Sequence, residues 1–410
     1  MDILPAKADE LIISSYSKKA MALSFRVIPV KEPEAGLSDM NVATVEQKDA
    51  QPPSIAAPFW YRSLRSLLFR MDPESAHTLA IKLAPLAAGL AGGPFQDPCL
   101  ATTVAGIKFS NPVGLAAGFD KNGRLTGCLS KFGFGFAEVG SITGQSSAGN
   151  PKPRLFRLVE DEAVINRLGL NGEGADVVAQ RLAGAVYSLP VAVNIAKTNH
   201  PSIKGEKGVA DMLHSFECIK DLPLAFITLN ASCPNTHEGI MQETEELDQI
   251  LAGVQKLNHR NLPVLLKLSP DSTPELLETF VASACKYGVK GYVLGNTTTT
   301  RGGLSTREDK VQAMGNGGLS GRPLKAKALD LVKRVYKIKQ KDQDIIGCGG
   351  VASGADAYAF IAGGARAVEL YTGLIYGGPD LPIRINRELA RLLKNNNQTV
   401  ETALGTHSAG

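Results

Sequence analysis

From residue 112 onward, eight short apolar runs recur, each followed by a stretch of helical periodicity. They span 112–117, 136–143, 191–196, 226–232, 264–268, 291–296, 345–349 and 367–372. Runs that are apolar throughout, rather than alternating, belong to strands buried on both faces, and strands that alternate with helices pair in parallel. The pattern predicts an α/β fold of the (β/α)8 TIM-barrel class. An open doubly wound sheet is the alternative. It is disfavoured because no G-x-G-x-x-G opens a helix after the first run.

In such a barrel the chemistry collects at the C-terminal ends of the strands. This chain places polar groups and glycines there. The first run ends in Ala117-Gly118-Phe119-Asp120-Lys121 and the second in Gly140-Ser141. The third carries Asn194, the fourth Asn230, the fifth Lys267 and the sixth Asn296-Thr297. The seventh ends in Gly349-Gly350 and the eighth in Tyr371-Thr372. Each alone reads equally well as a turn or a solvated strand end. Their recurrence at nearly every strand end marks a site.

Glycine-rich ends on the last two strands, with Gly318, Ser320 and Gly321 in the loop before them, suit a phosphate cradle of backbone amides, as for flavin mononucleotide. Lys267 follows three apolar residues and is expected to point inward, where it could stabilise charge on a flavin. Asn166, Asn230, Asn235 and Asn296, with Lys121 and Thr297, match a planar, imide-bearing carboxylate. Cys233 lies in Asn230-Ala231-Ser232-Cys233-Pro234-Asn235. A lone cysteine is ordinarily an inert core residue, but between two carboxamides it becomes a candidate base.

The ends of the chain read differently. Residues 1–58 lack any sustained period and are expected to form a poorly ordered arm. Asp2, Asp9 and Glu10 come early and Arg26 is the arm's one arginine, unlike a mitochondrial transit peptide. Residues 59–95 predict two helices, Phe59 to Arg70 and a second starting at Asp72-Pro73-Glu74 and running to about Leu90. They fit either a membrane-surface element across 59–92 or an amphipathic pair packed on a core. Residues 100–110 predict a hairpin turning at Ala105-Gly106 at the barrel bottom, within a barrel domain spanning 96–396, and 397–410 form a tail. No run of 18 apolar residues is present, so no transmembrane helix is expected.

The bulk composition narrows the partners. A net charge of +4 over 410 residues gives no support for nucleic-acid binding. The six cysteines form no C-x-x-C pair, and the six histidines show no ligand spacing, so no structural metal or disulfide frame is expected.

Several longer strings then carry a resemblance. They are Asp72-Pro73-Glu74-Ser75-Ala76-His77, Asn111-Pro112-Val113-Gly114, Ala117-Gly118-Phe119-Asp120-Lys121, Ala163-Val164-Ile165-Asn166-Arg167, Gly317-Gly318-Leu319-Ser320-Gly321 and Leu370-Tyr371-Thr372. Over about residues 59–400 the chain resembles the dihydroorotate dehydrogenases, specifically their membrane-associated, quinone-reducing class. The resemblance implies an FMN-containing barrel, probed by ubiquinone through a tunnel in the helical pair, acting in pyrimidine biosynthesis as a monomer at the mitochondrial inner membrane; a cytoplasmic protein is the alternative. It implies FMN contacts at Ala117, Gly118, Lys121, Ser141, Asn194, Asn230, Lys267, Gly295, Gly321, Gly350, Tyr371 and Thr372. It implies dihydroorotate or orotate contacts at Lys121, Asn166, Asn230, Asn235, Asn296 and Thr297, and tunnel residues His77, Arg157 and Tyr371. The chain departs from that class at Cys233, where serine is usual, at Leu170, where phenylalanine is usual, and at Gly295, which replaces a threonine. Cys233 and Leu170 match the soluble classes instead. Oxidation with fumarate or another soluble acceptor is therefore the first alternative; reduction of another dihydropyrimidine and a non-catalytic paralogue are the others.

Overall fold

A computed structural model describes residues 55–89, 93–231 and 244–408. Within them the chain begins with two helices, α1 (Phe59–Leu68) and α2 (Pro73–Gly89). Asp72 starts the second by accepting hydrogen bonds from the Ser75 amide and hydroxyl, both at 2.9 Å. Pro85 is accommodated inside α2. A hairpin follows, β1 (Thr102–Val104) and β2 (Ile107–Phe109), turning at Ala105 and Gly106 with φ of 50° and 82°. That left-handed pair matches the twist of a tight hairpin.

Eight parallel strands then close into a barrel. They are β3 (Val113–Leu115), β4 (Phe136–Ile142), β7 (Val191–Ile195), β8 (Ile227–Asn230), β9 (Val264–Leu268), β10 (Gly291–Leu294), β12 (Asp344–Cys348) and β13 (Ala367–Leu370). All eight fall within the runs expected from the sequence, to within a residue at their starts. Around them lie α3 (Ala175–Ala183), α4 (Glu206–Ile219), α5 (Thr244–Leu257), α6 (Pro274–Lys286), α7 (Glu308–Met314), α8 (Lys325–Ile338), α9 (Gly354–Ala362), α10 (Thr372–Gly377), α11 (Leu381–Asn395) and α12 (Val400–Ala403). The strands are apolar throughout because helices cover their outer faces and side chains fill their inner ones.

The barrel bottom is plugged by aromatic rings. Phe109 from the hairpin stacks on Phe136 at 4.5 Å, and Phe226 lies 6.4 Å from Phe136. A methyl group added at Gly114 would sit 2.2 Å from the Phe136 ring, so glycine on β3 leaves room for it.

A three-stranded antiparallel sheet of β5 (Leu155–Leu158), β6 (Ala163–Asn166) and β11 (Gly318–Gly321) has no counterpart among the runs the sequence predicts. Gly318, Ser320 and Gly321, expected in a loop, form its third strand, and the Leu319 amide is taken by the Thr298 carbonyl at 2.7 Å. The helical pair is tied to this sheet and to the barrel. Glu74 on α2 holds Arg154 in a bidentate pair at 2.6 and 3.0 Å. Tyr61 on α1 donates to the Ile375 carbonyl at 2.9 Å, and Arg65 to the Tyr376 carbonyl at 2.7 Å. Phe59, Trp60, Leu64, Leu67, Leu83 and Leu86 remain exposed. Among the described residues no helix is long and apolar enough to cross a membrane.

Phe136→Ala removes the ring on which the bottom of the barrel is packed. It is expected to cost about 3–5 kcal/mol, the usual range for a fully buried phenylalanine. A thermal melt should show the midpoint falling by several degrees, and an unchanged midpoint would contradict this packing.

Candidate functional site

A cleft opens at the C-terminal ends of the strands and is walled on one side by the β5–β6–β11 sheet. Ala117, Gly118 and Lys121 line it after β3, Ser141 from β4, Asn230 from β8, and Lys267 from β9. Asn296 and Thr297 follow β10, Gly350 follows β12, and Tyr371 and Thr372 follow β13. Asn166 and Gly321 enter from the added sheet. Thirteen of the expected site residues thus meet around one space.

Others are placed elsewhere. Asn194 lies fully buried behind the wall and accepts a hydrogen bond from the Ser141 hydroxyl. Gly295 lies outside the lining, with φ of 120°, and a β-carbon there would meet the Cys348 carbonyl oxygen at 1.7 Å. That close approach of backbone to backbone explains the glycine. His77 stacks edge-on against Phe119 at 4.9 Å, and Phe119 against Tyr371 at 5.5 Å, so an aromatic row leads from α2 to the cleft. Arg157 donates to the carbonyls of Phe69 and Met71 and covers the Phe69 ring at 4.6 Å, which fixes the turn between α1 and α2. Cys233 and Asn235 lie outside the described residues.

The polar groups of the cleft are linked. The Asn230 amide nitrogen donates to the Ser141 hydroxyl at 3.3 Å, and that of Asn296 reaches the Asn230 amide oxygen at 3.5 Å. The Asn296 amide oxygen in turn accepts from the Thr297 backbone at 2.8 Å. The result is a row of oriented polar groups across three strand ends, held before any ligand arrives.

Charge is concentrated at two points. Burial pulls the Lys121 ammonium down to about 8, which leaves it cationic at neutral pH. Lys267 lies deeper, 3.3 Å from Glu138 and 3.6 Å from Glu369, all three almost fully buried. Burial alone would lower the Lys267 ammonium, but the two carboxylates outweigh it and raise it. Burial, reinforced by the neighbouring Glu138 charge, raises the Glu369 carboxyl far above the ordinary carboxylate range. The cluster therefore sets a strongly held ammonium against two buried carboxyls, of which Glu369 resists ionising.

Glu138 and Glu369 escaped the sequence reading. Their only signal was a charge inside an apolar run, Phe136-Ala137-Glu138-Val139 and Ala367-Val368-Glu369-Leu370. Leu155, Val164 and Leu168, which close the cleft from the added sheet and the loop after it, carried no signal at all.

The chain's relatives agree with this geometry. Residues 99–393 match the family model described as dihydroorotate dehydrogenase. The chain belongs to the dihydroorotate dehydrogenase family. A protein of Gloeobacter violaceus named dihydroorotate dehydrogenase (quinone) is 40% identical over 355 residues, covering 84% of this chain and 98% of that protein. A protein of the same name from Anaeromyxobacter sp. strain Fw109-5 is 42% identical over 357 residues, covering 84% and 96%. Among solved structures, the Eimeria tenella enzyme in complex with ferulenol matches with a TM-score of 0.74 and 34% identity, over 83% of this chain and 96% of that one.

Membership of the dihydroorotate dehydrogenase family implies a flavin cofactor, and the cleft fits one. The Thr297 hydroxyl and the Asn194 amide nitrogen are buried with no hydrogen-bond partner among the described residues. Unmet polar groups in and behind a wide cleft, with a buried cation on its floor, suit a polar, charge-accepting ring.

The two carboxyls on one buried ammonium give a test. Either single substitution, Glu138→Gln or Glu369→Gln, leaves Lys267 one carboxylate and is expected to cost about 1 kcal/mol or less. The double variant strands the buried ammonium and should cost about 3–5 kcal/mol, well beyond the sum. Denaturant unfolding of the four proteins measures the difference; additive, small losses would contradict a shared charge.

Proposed function

We propose that this protein oxidises dihydroorotate to orotate in pyrimidine biosynthesis, using bound FMN and passing the electrons to a quinone. The observation that carries this reading is the row of polar groups from Ser141 to Thr297 set beside two lysines of different depth. A flat heterocycle with paired donors and acceptors is what such a row recognises. Lys121, Asn166, Asn230, Asn296 and Thr297, with Asn235, are the substrate's partners in this reading. Lys121 meets the substrate carboxylate. Asn166 and Asn296 read its ring amides.

Ala117, Gly118, Lys121, Ser141, Asn194, Asn230, Lys267, Gly295, Gly321, Gly350, Tyr371 and Thr372 surround the cofactor. Gly350, with φ of 74°, brings the chain to within a β-carbon's clash of the Lys325 backbone, and it leaves the phosphate end open to main-chain amides. Lys267 places its charge where electron density rises on reduction. FMN, when bound, supplies the hydride acceptor. Cys233 takes the proton from substrate C5 while a hydride leaves C6, so the substrate loses one proton and one hydride, two hydrogens and two electrons in all. A free thiol is a few per cent thiolate at neutral pH, enough to act without a relay.

The quinone reading rests on the helical pair and its aromatic row. Burial, then the Lys121 charge, pulls the His77 imidazole down to about 4, so it is neutral at physiological pH and suited to hydrogen bonding with an uncharged quinone. Arg157 and Tyr371 complete the path. The exposed face of Phe59, Trp60, Leu64, Leu67, Leu83 and Leu86 suits docking to a membrane surface, from which a lipid-soluble acceptor comes. Cys233 and Leu170 favour a second reading, in which the same oxidation feeds fumarate.

Steady-state turnover of dihydroorotate with a short-chain ubiquinone, against turnover with fumarate, tests the proposal. Quinone-dependent turnover is expected, and turnover with fumarate alone would transfer the assignment to the second reading. Cys233→Ala should keep the flavin and lower turnover by roughly 10²–10⁴, the usual worth of a general base. Undiminished turnover in that variant would remove Cys233 from the mechanism.

A further inference from the structure

On the outer face of the barrel, away from the cleft, three side chains of unlike chemistry converge between two helices. Asp176 stands in the first turn of α3. His214 and Cys218 stand one turn apart on α4, and so project from one face of it. His214 Nε2 lies 3.1 Å from Asp176 Oδ2, and the Cys218 thiol donates to Asp176 Oδ1 at 3.5 Å. Cys218 Sγ and His214 Nε2 are 3.7 Å apart.

We propose that Asp176, His214 and Cys218 form a zinc site that braces α3 against α4. The three separations, 3.1, 3.5 and 3.7 Å, lie within a few tenths of an ångström of those a tetrahedral ion requires. Zinc bond lengths of about 2.0–2.1 Å to nitrogen or oxygen and about 2.3 Å to sulfur place neighbouring ligand atoms about 3.3–3.6 Å apart. The carboxylate now turns one oxygen to each neighbour, and a rotation about its own axis presents a single oxygen to both. One imidazole, one thiolate and one carboxylate select a borderline ion such as zinc and reject calcium and magnesium, which take oxygen ligands. Asp176 and His214 are substantially exposed, so the fourth position faces solvent and water completes it.

The sequence alone hides this site. Asp176 is separated from His214 by 38 residues, and the i, i+4 His–Cys pair has no second cysteine or histidine near it. The closed barrel brings α3 and α4 side by side. The brace also has somewhere to transmit its effect. The amide of Ala175, beside Asp176, donates to the Thr143 carbonyl at 2.8 Å, two residues beyond Ser141. Asp211, one turn before His214, accepts from the Thr198 amide at 2.8 Å, in the loop that follows β7. The two bridged helices are thus anchored to the strand ends that carry Ser141 and Asn194.

The test uses the full-length, tag-free, flavin-loaded protein, stripped with a chelator and titrated with zinc chloride in a calorimeter. One zinc per chain is expected, together with a rise of a few degrees in the thermal midpoint. Loss of even an outer-shell partner weakens metal sites by about 10–100-fold, so His214→Ala and Cys218→Ser should each weaken binding at least tenfold and abolish the thermal shift. Asp176 and His214 are exposed while Cys218 packs partly against the core, so circular dichroism checks that each variant is folded. No zinc uptake by the unsubstituted protein, or uptake unchanged in either variant, overturns the proposal and leaves the three groups as a hydrogen-bonded surface cluster.

Discussion

Closure of the parallel barrel is the constraint on which everything else depends. Eight strands running the same way, each paired on both sides, must end on one rim. Residues far apart in the chain, from Ala117 to Thr372, therefore face a common space without any local device to gather them. The bottom can be filled with Phe109, Phe136 and Phe226 because nothing needs to enter there. The top carries the amides and charges because helices and the added sheet keep it walled but open.

Within that frame one polar cluster runs against the rule that barrel interiors are apolar. Lys267 is buried beside Glu138 and Glu369 just below the cleft. Charges in such a place survive only if paired. Burial that raises the Glu369 carboxyl limits the negative charge set against the Lys267 ammonium. A cation held on strands, rather than on a loop, keeps a fixed position relative to any ring bound above it.

The strands were legible in the sequence because burial on both faces erases alternation, and the eight runs stood out between helical stretches. Polar residues at their ends were legible for the same reason: Asn230, Lys267 and Asn296 each interrupt an apolar run at its C-terminal edge. The β5–β6–β11 sheet was not, since its strands are four residues each and its third partner comes some 150 residues later. Its glycine-rich strand looked like a loop. Glu138 and Glu369 were visible as letters, but only the register that sets Cys348 beside Glu369, and Asn230 beside Lys267, shows what they touch. The need for glycine at 295, where the Cys348 carbonyl lies against the backbone, was not legible either. The metal-ligating face of α3 and α4 depends on helix adjacency alone, and no spacing rule along the chain could reveal it.

The central claim is that one cleft removes a proton and a hydride from dihydroorotate and hands the two electrons on. Anaerobic stopped-flow mixing of the purified protein with dihydroorotate, followed by a second mix with a short-chain ubiquinone, addresses it directly. The account predicts saturable bleaching of the flavin absorbance in the first mix and its full return in the second, faster with quinone than with fumarate. A flavin that stays oxidised in dihydroorotate, or one that bleaches and recovers only with fumarate, would contradict it.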